Sequence, residues 1–175
     1  TLENDRSVRL NFALPRRVEY FNKKPVSYIT NILGNEAKGS LFDVLKEKGY
    51  VKNYYIYPND LADFTELTAH FNLTDIGYDN SDDVIEAFFA YVNMLREDGI
   101  DKTRYAEIAQ ILDLGFEFRD KTSVSRFAGN LSSNLQYYPP EHALDISRVY
   151  SEFDSGLIKS YLNELTPNKA RIIYA

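Results

Sequence analysis

The segment ELTAHFNL, Glu66 to Leu73, places Leu67, Ala69, Phe71 and Leu73 on one side and Glu66, Thr68, His70 and Asn72 on the other. Side chains alternate across a strand with period two, so this is the pattern of a strand with one face in the core and one in solvent. The preceding YVKNYYIY, from Tyr50, is dense in β-branched and aromatic residues and is predicted as a strand ended by Pro58. It has Asn53, Tyr55 and Tyr57 on one face and Lys52, Tyr54 and Ile56 on the other. Such mixed faces suggest an edge, and the intervening YPNDLAD makes the two strands a hairpin.

Outward from that hairpin, SVRLNFAL, Ser7 to Leu14, repeats the alternation with Val8, Leu10, Phe12 and Leu14 on the apolar face. Val26, Ile29, Ile32 and Leu33 recur at helical spacing, as do Leu41, Phe42 and Leu45 after a break at Gly39. A longer helical stripe, Val84 to Leu95, stops at Gly99, and Asp101 caps a second that carries Tyr105, Ile108, Leu112 and Phe116. Further helices are expected over Ser125 to Leu135 and from Ser155, and a last strand over Asn168 to Tyr174. This order predicts an α+β fold, an antiparallel sheet with helices on one face, as a single domain over 1–175.

The chain has 175 residues, 44% hydrophobic and 26% charged, with net charge −6 and a pI near 5.0. That balance supports a sizeable core and argues against nucleic acid or a membrane as partner, since both need clustered basic residues or long apolar runs. With no cysteine there is no disulfide, thiolate metal site or cysteine nucleophile. The chain starts at Thr1 rather than Met, which suggests a piece of a longer protein.

GNEAKGSL, Gly34 to Leu41, has the glycine spacing of a phosphate loop, but Ser40 stands where the lysine is needed and Leu41 where the hydroxyl is needed. The better reading is a helix start: Gly39 turns, Ser40 caps, and Asp43 completes a capping box. The two histidines, His70 and His142, lie far apart in sequence, and no serine sits in a nucleophile elbow. His70 is expected to be an exposed histidine on the polar face of its strand. No catalytic and no metal-ligating residue is assigned. The fourteen Tyr and eleven Phe are the unusual feature, four of the tyrosines lying between Tyr50 and Tyr57. They are either core, or a peptide-binding edge whose free amides pair with an extended ligand.

Four stretches together resemble one family: NILGNEAKGSLFDVLKEKGYV, YVNMLREDGIDKTRYAEIAQILDLGFEFRD, YYPPEHALD and TPNKARIIY. They look like the second domain of the N-terminal half of pitrilysin and insulin-degrading enzymes, inverted zinc metallopeptidases, with the nearest likeness to bacterial pitrilysin-type members. In that family the zinc motif H-x-x-E-H lies in the first domain, and none of it is present here. The resemblance implies a non-catalytic domain lining the substrate chamber of an endopeptidase that degrades peptides and small unfolded proteins, with zinc held elsewhere in the parent. It implies as partners a peptide substrate and other domains of the same chain, and a periplasmic location, with cytoplasm and secretion left open. The family's substrate-anchoring strand falls at Tyr54, Tyr55, Ile56 and Tyr57. The alternative is a structural or partner-binding domain of a peptidase homologue that has lost its activity.

Overall fold

The computed structural model describes residues 6–120 and 122–175. Four strands, β1 (Ser7–Leu14), β2 (Val51–Asp60), β3 (Thr65–Leu73) and β4 (Ala170–Tyr174), form an antiparallel sheet in the order β2-β3-β1-β4. Among the described residues seven α-helices accompany it: α1 (Pro25–Leu33), α2 (Leu41–Glu47), α3 (Asp75–Asp79), α4 (Ser81–Asp98), α5 (Lys102–Glu117), α6 (Val124–Tyr137) and α7 (Ser155–Leu162). The fold is α+β.

The alternation in β1 and β3 is what buries one face. Val8, Leu10, Phe12, Leu14, Leu67, Ala69, Phe71 and Leu73 are all sealed in the core, beneath Ile29, Leu33, Leu45, Val84, Phe88 and Ile158 from the helices. Phe88 of α4 sits at the centre, 5.8 Å from Phe12, 6.2 Å from Phe71 and 5.4 Å from Phe89 between ring centroids. The opposite face of the sheet is polar: Asn11 Nδ2 donates to Glu66 Oε1 at 2.8 Å, and Asn72 Nδ2 donates to Asn53 Oδ1.

Local chemistry sets the helix boundaries. The Ser40 hydroxyl accepts from the Asp43 amide at 3.2 Å, and the Asp43 carboxylate accepts from the Gly39 amide at 2.7 Å. This is a capping box displaced one residue outward, with Gly39 at a φ of +83° making the turn. Asp101 accepts from the Thr103 amide at 2.7 Å to start α5, and Asp154 from the Leu157 amide at 2.9 Å to start α7. Lys24, at a φ of +42°, leads into α1, and its ammonium donates to the Ile146 carbonyl at 2.7 Å.

Three sequence expectations are corrected. β2 does not stop at Pro58 but continues to Asp60, because Pro58 lies in an edge strand whose outward N–H is not needed by the ladder. The faces of β2 change at a bulge between Val51 and Asn53, which leaves Lys52 exposed and turns both Val51 and Tyr54 to the core. His70 is half-buried rather than exposed: it lies between Tyr55 on β2 and Arg9 on β1, and its Nε2 is sealed with no hydrogen-bond partner among the described residues. Burial, then the Arg9 guanidinium, holds its imidazole below the ordinary value.

Candidate functional site

The strand predicted to bind peptide is an open edge. Along β3 the Leu73 amide donates towards β1, to Arg6 O at 2.8 Å, and the Thr74 amide turns the other way, to Tyr50 O at 3.0 Å. Because backbone groups alternate along a strand, Asn72, His70, Thr68 and Glu66 face β2, where their partners are Asn53, Tyr55, Tyr57 and Asn59. The amides and carbonyls of Tyr54 and Ile56 therefore point away from the sheet. No other backbone group among the described residues pairs with them. Pro58 falls on the same outward side, so its missing N–H breaks no ladder bond.

A groove of about 630 Å³ runs along this edge. One wall is β2 itself, from Tyr54 to Tyr57; the other is made by Thr30 and Asn31 of α1, Glu36 beyond it, and Ile108 and Leu112 of α5. Gly34 ends α1 against the strand, and a Cβ there would stand 3.0 Å from Ile56 Cγ2 and 2.8 Å from the Thr30 carbonyl. Only glycine fits between helix and strand at that point.

The structure brings Tyr54, Tyr55, Ile56 and Tyr57 together along the groove but gives them different surroundings. Tyr54 is 6% exposed and stacks on Phe71 at 4.6 Å, while Tyr55 and Tyr57 are 52% and 44% exposed on the polar side of the sheet. The Tyr54 hydroxyl is buried without a partner among the described residues. Burial, then Tyr91, pushes its phenol up, so it is a neutral donor at every working pH. The helical wall carries no sequence signal, because α1 and α5 meet β2 only through the topology. Gly34 did carry one, a glycine directly after an apolar helical run, but its packing against Ile56 is visible only in the fold.

Among the described residues no group of three or more His, Asp or Glu side chains could hold a metal ion. His142 Nδ1 lies 3.4 Å from Asp145 Oδ1 in a surface turn, and His70 stands on the sheet, so these residues do not fit a zinc site. What the groove can do is hold an extended chain by its backbone.

The family model described as "Peptidase M16 inactive domain" matches residues 2–112. The chain belongs to the M16 peptidase family. A second M16 model, the middle or third domain, matches residues 116–175. The two matched stretches share one sheet, since β4 from the second pairs with β1 from the first. Protease 3 of Escherichia coli K12 is 32% identical over 169 residues, covering 95% of this chain and 18% of its own. Insulin-degrading enzyme-like 2 of Arabidopsis thaliana is 28% identical over 158 residues, covering 90% and 16%. The crystal structure of pitrilysin superposes with a TM-score of 0.93 at 31% identity, over 97% of this chain and 18% of that one. An M16 inactive domain from Pseudomonas fluorescens shares the fold, with a TM-score of 0.63 at 18% identity over 97% of this chain and 41% of that chain. The chain thus spans under a fifth of the length of the curated relatives named, and it is of the inactive-domain type.

Proposed function

We propose that residues 1–175 form one non-catalytic α+β unit in the wall of the substrate chamber of a zinc-dependent metalloendopeptidase, and that the free edge of β2 holds an extended stretch of its peptide substrate. The observation that carries this is the outward backbone of Tyr54 and Ile56 facing a groove, in a chain of the M16 inactive-domain type. A peptide laid along the edge takes main-chain hydrogen bonds from β2 regardless of its sequence, as suits an enzyme that degrades varied peptides and small unfolded proteins. Tyr55 and Tyr57 add contact area at low entropic cost. Zinc would polarise the scissile carbonyl and activate water in another domain of the parent, the ligands being absent from the described residues here. The likeness to Protease 3 of Escherichia coli supports a bacterial parent, and a periplasmic location is part of the same proposal, which fractionation of the source cells would check.

The test is hydrolysis of an unstructured peptide by the parent enzyme before and after chelation. Loss of cleavage on removing zinc, and recovery on restoring it, supports the reading. A folded parent that cleaves nothing with zinc present overturns it and leaves a homologue that serves as scaffold.

A further inference from the structure

Two adjacent lysines lead into α1 and meet opposite surroundings. The Lys23 ammonium pairs with Glu152 at 3.1 Å and with Asp154 at 2.9 Å. Lys24 is half-buried and has no carboxylate partner among the described residues; its ammonium donates only to the Ile146 carbonyl, which leaves the remaining N–H groups unused. Lys24 lines a cavity of about 250 Å³ with Arg17, Ser27, Tyr138 and Ser147, where Phe21, Val26 and Leu112 supply apolar wall and no acidic side chain takes part. Arg17 donates through Nε and Nη2 to Asp60, each at 2.8 Å, and its Nη1 is left without a partner among the described residues. The carboxylates beside the lining residues are engaged as well: Asp113, next to Leu112, and Asp145, next to Ile146, pair with Arg148 at 3.2 Å and 3.5 Å. Burial, ahead of the Arg17 charge, pushes the Tyr138 phenol up, so it stays a neutral donor. One ammonium thus stands without an opposite charge in a partly apolar enclosure, where attraction to an incoming anion is far stronger than in bulk water.

We infer that this cavity is a carboxylate-binding subsite continuous with the β2 groove, taking an acidic side chain or the free carboxyl terminus of a peptide laid along the strand. The inference rests on the reading of the β2 edge as a peptide-binding site. Ser27 and Leu112 line both the cavity and the groove, so a chain held by Tyr54 and Ile56 reaches the cavity without leaving the surface. Arg17 ties the cavity to the same strand through Asp60, the last residue of β2. The Lys24 ammonium supplies the charge, while Arg17 Nη1 and the Tyr138 hydroxyl are further donors, and charge-assisted bonds of this kind are the strong ones. The backbone edge alone accepts any sequence; the cavity adds a preference for acidic peptides.

The experiment is fluorescence anisotropy with the metal-stripped full-length parent and three labelled unstructured peptides of matched sequence: a neutral one with an amidated end, one with a single glutamate, and one with a free carboxyl terminus. The expected result is binding about tenfold or more tighter for at least one acidic peptide than for the neutral one, the gain of a hydrogen bond to a charged group. Which of the two shows it tells a side-chain carboxylate from a terminal one. Lys24→Met should abolish the gain and leave the Kd of the neutral peptide unchanged, Lys24→Arg should keep most of it, and Lys159→Met, which removes an exposed charge on α7, should keep all of it. In the unaltered parent the preferred acidic peptide should also slow acetylation of Lys24, read by mass spectrometry, several-fold more than the neutral peptide does. No gain with either acidic peptide, a gain that survives Lys24→Met, a gain lost equally in Lys159→Met, or equal protection of Lys24 by acidic and neutral peptides overturns the proposal. Hydrolysis is measured on the zinc-loaded parent. A gain that depends on Lys24 in a parent that cleaves nothing upholds the subsite and sinks the peptidase reading, while cleavage with no such gain does the reverse.

Discussion

Replacing Ile56 by proline separates the pairing edge of β2 from its fold. The outward backbone from Tyr54 to Pro58 offers two N–H donors, at Tyr54 and Ile56, and three carbonyl acceptors, at Tyr54, Ile56 and Pro58. Ile56→Pro removes one of the two donors and no bond to β3, because the Ile56 amide points away from the sheet. Pro58, two residues on with the same orientation, shows that the strand accommodates the ring. One net hydrogen bond is worth about 0.5–1.5 kcal/mol, which corresponds to roughly a two- to twelvefold rise in Kd. The upper end is expected, because the peptide carbonyl that faced Ile56 is left without a donor. Tyr55→Pro, one residue earlier, removes instead the amide facing His70 across the ladder and should disrupt the sheet. The assay is fluorescence anisotropy of a labelled unstructured peptide titrated into the metal-stripped parent, with circular dichroism as the check on folding. The reasoning fails if Ile56→Pro folds and binds with unchanged Kd, or if Tyr55→Pro is tolerated as well as Ile56→Pro.

Phe88→Ala should lower stability by about 3–5 kcal/mol, since the ring is fully buried between Phe12, Phe71 and Phe89, and a loss below about 1 kcal/mol in denaturant titration would contradict that packing. Ser40→Ala should lower it by about 1 kcal/mol through loss of the α2 cap, whereas Ser40→Asp should restore most of it. Burial, then the Arg17 charge, brings the Lys24 ammonium down to about 8, so between that value and the ordinary 10.5 the unfolded chain binds more protons than the folded one. Stability contributed at this site is therefore lowest below pH 8 and rises as pH climbs through that window. Subtracting the stability curve of Lys24→Met from that of the unaltered chain should reveal the rise, and a flat difference would refute it.

Legibility in the sequence followed burial. β1 and β3 were readable because each is buried on one face along its whole length, so period two is written into every residue. β2 was readable as an edge strand only as far as Pro58, since nothing local says that the Pro58 nitrogen faces outward, and the bulge at Lys52 shifts the phase of its side chains. The five residues of α3 are too few to show a helical period. Helix α6 was expected from its spacing, but spacing does not say whether an apolar face is covered. Of the groove, the β2 wall was named from the sequence, while the wall from α1 and α5 exists only through packing. The helical wall comes from two stretches of chain, Thr30 to Glu36 before β2 and Ile108 to Leu112 after it, neither of them local to Tyr54.

The central claim is that this segment holds substrate for chemistry performed elsewhere in its parent. The most direct measurement sets zinc binding and peptide hydrolysis by the purified 175-residue chain beside the same two quantities for the parent. The chain is expected to bind no zinc at micromolar concentration and to cleave no peptide, while the parent does both. Zinc-dependent cleavage by the purified chain would contradict it.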